Sequence, residues 1–249
     1  MDFKVKGYSN YTLSLEEDSV IKSSVNPDDR LLISATKQKN FRSNFFKTPN
    51  VIYSSDSQFR MEYINGESFS QFFTTATKRD LDNLINKIDG YLQERIVGEI
   101  KIPIKILMDK ILSIPYDVDL LPILSNKEYV KIKVGMAHGD MTLSNMIFAE
   151  DVYLIDFLDS YIESPTMDIV KLRQDTHLHW SLNMVDDILD LTKIKLGLNY
   201  IDDWLSTKYV VDDYEIFQII NLLRIYPYAK SNKIRTYLDT NIKKLCELL

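Results

Sequence analysis

The stretch from His138 to Phe157 constrains this chain of 249 residues more than any other. It begins with the polar loop HGDMTLSN and continues through two short apolar runs, MIF and VYLI, which are typical of β-strands. A loop, a hairpin and a second loop should bring Asp140, Asn145 and Asp156 together at one end of a small ribbon.

These three side chains suit phosphoryl transfer from a nucleotide. One carboxylate can accept the proton of an attacking hydroxyl, while a second carboxylate and an amide oxygen hold magnesium on the phosphates. The alternative interpretation is a plain turn followed by an ordinary strand end. HGD alone does not separate the two interpretations, so the context of the motif has to decide.

The motif resembles one family. HGD, four residues, Asn and then an apolar strand ending in Ile-Asp-Phe are similar to the aminoglycoside phosphotransferase and choline kinase family of protein-kinase-like enzymes that phosphorylate small molecules. The resemblance continues through Asp159, Ser164-Pro165 and Asp168-Ile169.

This resemblance implies a role for each polar residue. Asp140 would be the catalytic base, and Asn145 and Asp156 would be magnesium ligands. His138 would brace the loop, and Asp168 would tie the loop down by hydrogen bonding.

The first 25 residues alternate in the manner of a hairpin followed by a third strand. By resemblance, the turn that carries Ser9 and Asn10 would cover the nucleotide phosphates, and Lys22 would contact them. The alternative for Lys22 is a solvated lysine on an ordinary strand.

Two further strands are predicted at Val51–Tyr53 and Gln58–Ile64, which would complete a five-stranded sheet. The end of the second resembles the family's hinge, where backbone groups near Glu62 and Ile64 would bind the adenine edge and Met61 would lie beside the base. The alternative is an edge strand that ends in an Asn-Gly turn.

A helix predicted from Pro27 to about Asn40 departs from the family pattern because it contains no Glu. The family normally pairs such a Glu with the phosphate-binding lysine, here Lys22. Gln38 is the nearest polar substitute, and it cannot form an ion pair. This departure favours a second hypothesis, a pseudokinase that binds nucleotide and acts through a partner.

The resemblance implies an α+β, bilobal, protein-kinase-like fold. Residues 1–66 would form a nucleotide-binding lobe with a five-stranded antiparallel sheet and one helix, and residues 67–249 a mainly helical catalytic and substrate-binding lobe. Helices are predicted around 69–73, 78–96, 104–111, from 169 towards 180, and at 185–195, 202–208, 213–226 and 233–248.

The substrate class follows from two absences. Gly139 stands where a protein kinase usually carries Arg, and only eleven residues separate Asp156 from Asp168. Without room for a long activation segment, the sequence predicts an ATP- and Mg²⁺-dependent kinase of a small-molecule hydroxyl, such as a sugar, an amino alcohol or an aminoglycoside. Asp175, His177, His179 and Trp180 are candidates for its pocket.

The composition argues against several other classes of protein. A net charge of −6 opposes nucleic-acid binding, and a single cysteine, Cys246, fits a reducing compartment. We expect a cytoplasmic protein without a membrane partner, since no apolar run is long enough to span a bilayer. A metallophosphatase is a third hypothesis, but it needs several His ligands in a chain that has three histidines.

Overall fold

The computed structural model describes residues 11–24, 29–114, 124, 126–185 and 190–249. Its N-terminal part is an antiparallel sheet of four strands in the order β1-β2-β4-β3. The strands are β1 (Tyr11–Glu16), β2 (Ser19–Ser24), β3 (Val51–Ser54) and β4 (Gln58–Glu62).

One face of this sheet is covered by helix α1 (Asp29–Asn40). Leu31 and Ala35, one helical turn apart, meet Phe59 and Met61 of β4 in a small buried core. The alternating burial of β1 leaves its other face open to solvent. Lys22 lies in β2, in register with Phe59, and is therefore fixed in the middle of the sheet.

The sequence predicts five strands in this sheet, and the described residues contain four of them. The first predicted strand, near Phe3, falls within residues 1–10 and lies outside the described residues, as do Ser9 and Asn10. The last strand ends at Glu62, two residues earlier than predicted. Beyond Glu62 the backbone bonds to the turn between β1 and β2, since the N–H of Tyr63 donates to the carbonyl of Asp18.

The remainder of the chain is mainly helical and contains two larger cores. Two short antiparallel ribbons, β5 with β6 and β7 with β8, accompany the helices. The elements are α2 (Phe69–Thr75), α3 (Lys78–Arg95), β5 (Gly98–Pro103), α4 (Lys105–Leu112), β6 (Tyr129–Val134), β7 (Met146–Phe148), β8 (Val152–Leu154), α5 (Pro165–Thr176), α6 (Leu191–Lys208), α7 (Tyr214–Ile225) and α8 (Asn232–Cys246).

Local sequence signals explain several boundaries. Ser68 and Thr77 cap α2 and α3 through capping boxes with Gln71 and Asp80. Pro165 stands in the first turn of α5, where its missing N–H costs no helical hydrogen bond. None of the helices in the described part of the chain is both long and apolar enough to cross a membrane.

Helix α6 corrects the prediction of two helices, at 185–195 and 202–208. The segment between them continues as helix because Ile194, Leu198, Ile201 and Leu205 form one unbroken buried stripe. Gly197 does not end the helix. It lets the backbone approach the ring of Phe73, which would lie 2.8 Å from a Cβ at this position.

The β5–β6 ribbon is a second difference from the sequence prediction, which has no strand at 98–103. The signal was available, because Ile100 and Ile102 alternate with Glu99 and Lys101 as in a strand, although only Ile102 is buried in the fold. The predicted hairpin of MIF and VYLI is present, with Met146 paired to Leu154 and Phe148 to Val152.

The stripe on α6 generates a test of this packing. Replacing the buried Leu198 by Ala should lower the free energy of unfolding by about 2–5 kcal/mol, because the cavity left behind cannot fully close. Leu196 on the same helix is 65% exposed, and its replacement by Ala should change stability by less than about 0.5 kcal/mol. Urea unfolding of both variants measures the difference, and equal losses would contradict the assigned helix face.

Candidate active site

The loop at 138–145 folds back on itself around Asn145. Its side-chain Nδ2 donates to the backbone oxygen of Asp140 at 2.8 Å and to Oδ2 of the same residue at 3.1 Å. The carbonyl of Asn145 accepts the N–H of Ile155 at the end of β8. The structure thus brings Asp140, Asn145 and the residues before Asp156 to one end of the β7–β8 ribbon.

Asp156 joins this ribbon to the N-terminal sheet. Its Oδ1 lies 2.7 Å from Nζ of Lys22, a residue 134 positions earlier in the chain. Asp156 has a left-handed backbone, with φ of 61°, which few residues other than Gly adopt and which Asp tolerates better than most. Such a conformation held at a strand end is typical of functional sites.

Two ligands of the predicted magnesium site have suitable chemistry. Asn145 uses its Nδ2 for Asp140, so its amide oxygen is the atom that could bind a metal. The side chain of Asp156 is 41% exposed and offers a carboxylate. Hard oxygen ligands of this kind, completed by phosphates and water, suit Mg²⁺.

His138 is buried and holds the loop from inside. Its Nε2 lies 2.9 Å from the carbonyl of Ile155, its Nδ1 accepts the N–H of Asp140, and its ring packs on Phe157. Burial lowers the pKa of His138 to about 4, so the ring is neutral and donates from Nε2. This geometry is that of a brace, as the resemblance implies.

Asp168, at the start of α5, holds the same loop from below. Its carboxylate accepts the N–H of His138 at 2.8 Å, the N–H of Gly139 at 2.9 Å and the hydroxyl of Tyr91 at 2.7 Å. Burial raises the pKa of Asp168 to about 6, while the three hydrogen bonds favour the ionised form. The carboxylate therefore connects α3, α5 and the loop.

Two more residues of α5 contact the loop, and the sequence analysis missed both roles. Nζ of Lys171 lies 3.0 Å from Oδ1 of Asp140. Asp175 accepts the N–H of Leu143 at 2.6 Å and that of Ser181 at 2.9 Å, and its pKa is raised to about 6 by burial. The signal was available, because positions three and seven after Asp168 share one helix face.

Gly139 allows the loop to lie against the segment after Asp156. Its φ is +90°, and a Cβ at this position would come within 1.9 Å of the carbonyl oxygen of Leu158. The N–H of Leu158 in turn donates to the carbonyl of His138. A larger residue, such as the Arg of a protein kinase, could not occupy this backbone position without moving the segment.

Helix α1 approaches the site through Lys37 rather than Gln38. Nζ of Lys37 lies 2.9 Å from the carbonyl of Leu158 and 2.9 Å from Oε2 of Glu163. The amide of Gln38 instead donates to the carbonyl of Pro49. The partner of Lys22 is Asp156. The helix without Glu is therefore connected to the site by a lysine.

The remaining predicted residues lie around this centre. Met61 is buried in the core between the sheet and α1, and Glu62 accepts hydrogen bonds from Asn50. Ile64 follows β4 and is half-buried. These three residues lie at or just beyond the end of β4, where the predicted hinge begins.

The residues that were predicted to line the substrate pocket, on and after α5, contact other residues of the chain. His177 lies 3.2 Å from Asp202, and His179 lies 3.2 Å from Asn199. Trp180 is buried, and Asp175 binds the loop. Among the described residues no three His, Cys, Asp or Glu side chains lie close enough together to hold a metal ion by themselves.

A surface pocket of about 580 Å³ lies elsewhere, beneath the end of the predicted hinge. Gly66, Phe72, Lys87 and Asp151 contribute to its wall. Its lining includes neither Lys22 nor the 138–145 loop, so this pocket does not mark the site predicted for phosphoryl transfer. The cluster of charged and amide groups around Asp140 is the better candidate.

Comparison with known proteins shows the fold. No protein-family profile and no curated protein sequence matches the chain. The solved structure of a streptomycin–ATP–APH(2")-IIa ternary complex is similar, with a TM-score of 0.54, 17% identity and coverage of 96% of this chain and 91% of that chain.

Two more distant structures also match. A choline/ethanolamine kinase family protein from Mesorhizobium loti has 12% identity, covers 95% of this chain and 91% of its own, and gives a TM-score of 0.44. The structure of macrolide 2'-phosphotransferase type I has 9% identity and a TM-score of 0.46. The match covers 98% of this chain and 90% of that chain. The similarity to the streptomycin–ATP–APH(2")-IIa structure confirms, at the level of the fold, the resemblance predicted from HGD and Ile-Asp-Phe.

The burial of His138 generates a pH prediction. Its ring should stay neutral from about pH 8 down to about pH 5, so its NMR shifts should not move in that range. The unfolded chain takes up this proton with a pKa near 6.5, so the stability contributed by neutral His138 is complete above that pH and is lost as the pH falls towards about 4. A titration midpoint near 6.5 in the folded protein would contradict the buried brace.

Proposed function

We propose that the protein is an ATP- and Mg²⁺-dependent phosphotransferase that phosphorylates a hydroxyl of a small molecule. The observation that carries the proposal is the contact of Lys22 with Asp156, at 2.7 Å, beside the loop that holds Asp140 and Asn145. A lysine on a strand of the sheet, a carboxylate and an amide at a ribbon end, and a loop carboxylate are the parts of a kinase site. The similarity to a structure solved with ATP supports the nucleotide.

The proposed division of the chain follows from this site. Residues 1–66 would form the nucleotide-binding lobe and end in the hinge, where the backbone near Glu62 and Ile64 would bind the base beside Met61. Residues 67–249 would carry the catalytic loop and the acceptor site. Ser9 and Asn10 keep their proposed place over the phosphates by resemblance alone.

The proposed reaction uses Asp140 as the base. The oxygen of the acceptor hydroxyl forms a bond to the terminal phosphorus of ATP, the bond from that phosphorus to the bridging oxygen breaks, and ADP leaves. The proton of the hydroxyl passes to the carboxylate of Asp140. Positioning and charge neutralisation supply most of the acceleration in such a reaction.

Magnesium would be held by the amide oxygen of Asn145 and the carboxylate of Asp156, and when bound it supplies charge neutralisation on the phosphates. Lys22 is placed by β2 to contact the same phosphates. Nζ of Lys22 lies 2.7 Å from Oδ1 of Asp156, which supports a shared site for the two groups.

The acceptor class is a small molecule with a hydroxyl, such as a sugar, an amino alcohol or an aminoglycoside-like compound. The short chain from Asp156 to Asp168 is largely engaged in the site, since Leu158 and Glu163 contact Lys37. This leaves no extended platform there for a peptide substrate.

The pseudokinase alternative is favoured by the absence of a Glu from α1. It predicts nucleotide binding without turnover. Incubation with Mg²⁺-ATP and a pooled extract of small metabolites, followed by mass spectrometry, separates the two. New phosphorylated products support the kinase, and binding without products from any acceptor pool supports the pseudokinase.

Replacing Asp140 by Asn should lower turnover at least about 100-fold, because a positioned base contributes about that factor or more. Nucleotide affinity should remain close to that of the wild type. Asp109, exposed on α4, provides a matched control whose change to Asn should leave turnover intact. Retained turnover in the Asp140→Asn variant would remove this residue from the role of base.

Replacing Asp156 by Asn should weaken nucleotide binding only when magnesium is present, because the variant loses a charged metal ligand. The expected loss is at least about tenfold in Kd, equivalent to about 1.4 kcal/mol. Calorimetry with ATP in Mg²⁺ and in EDTA measures the difference. Equal affinities of wild type and variant in magnesium would place the metal site elsewhere.

A further inference from the structure

The proposed base has a cationic partner that comes from a different element. Nζ of Lys171, on α5, lies 3.0 Å from Oδ1 of Asp140. The side chain of Lys171 is only 11% exposed and that of Asp140 is 24% exposed, so water screens the pair weakly. A lysine in this environment needs the carboxylate as its partner.

Anchoring the loop does not require this ion pair. Asp168 accepts the N–H groups of His138 and Gly139, and Asp175 accepts that of Leu143. These carboxylates already fasten the loop backbone to α5. Lys171 differs from them because it binds the side chain of Asp140 rather than the backbone.

We propose that Lys171 is a positioning residue of the phosphotransfer, which orients the carboxylate of Asp140 towards the acceptor hydroxyl. This inference rests on the proposed function. Lys171 holds Oδ1 and the amide of Asn145 holds Oδ2, so the plane of the carboxylate is fixed at two points. A fixed carboxylate presents its remaining lone pairs to the hydroxyl in one geometry.

Lys171 is also the strongest attraction that the carboxylate of Asp140 experiences. Burial by itself would raise the pKa of Asp140, but the charge and hydrogen bond of Lys171 are the main causes that lower it below the usual value. This attraction agrees with the short contact between the two side chains.

The test compares Lys171→Met with Lys171→Arg, and with Lys105→Met as a control on the exposed face of α4. The assay is turnover of Mg²⁺-ATP with the acceptor found in the metabolite screen, and with water as acceptor otherwise. Lys171→Met should lower kcat about 100-fold near neutral pH with a KM for ATP within about threefold of the wild type.

Lys171→Arg should recover most of the rate, since it restores the positive charge. Lys105→Met should match the wild type. A kcat of Lys171→Met close to that of the wild type, a loss that lies in KM rather than kcat, or no recovery in Lys171→Arg would overturn the inference and leave the proposed function standing.

A second measurement controls for a folding defect. The charge-neutral double variant Lys171→Met with Asp140→Asn should unfold at a temperature close to that of the wild type. Lack of any turnover by the wild type would overturn the proposed function and this inference together, whereas wild-type turnover that Lys171→Met retains in full overturns the inference alone.

Discussion

The buried carboxylate of Asp168 fixes the part of the molecule on which the candidate site depends. It accepts two consecutive backbone N–H groups of the loop and the hydroxyl of Tyr91. A buried acceptor with three donors is costly to leave unsatisfied, so the loop, α3 and α5 are held in one arrangement. The positive φ of Gly139 is compatible with this arrangement because Gly has no Cβ to meet the opposing carbonyl.

Two ion pairs at the candidate site connect different parts of the fold. Lys22 with Asp156 joins the N-terminal sheet to the β7–β8 ribbon, and Lys171 with Asp140 joins α5 to the loop. Lys37 adds a third connection, from α1 to Leu158. Together these contacts hold the sheet, α1 and α5 against the loop and the ribbon.

Local motifs were sufficient to predict much of the site. The loop and the hairpin after it depend on short-range patterns, and the structure places Asp140 and Asn145 together as expected. The prediction failed where packing decides. Two helices were predicted at 185–195 and 202–208, but a continuous stripe facing the core makes Leu191–Lys208 one helix, and Gly197 serves close packing against Phe73. Residues 186–189 of the first predicted helix lie outside the described residues.

The sequence by itself determined the loop, the ribbon, the candidate base and metal ligands, and the resemblance to small-molecule kinases, because these are contiguous patterns with fixed spacing. Only the tertiary structure decided that Lys22 pairs with Asp156 and that Lys171 pairs with Asp140. Partners from distant parts of the chain depend on how the helices and the sheet pack, and no local pattern contains that information. An ion pair between distant elements therefore becomes visible only in the folded structure, although both of its residues can be read from the sequence.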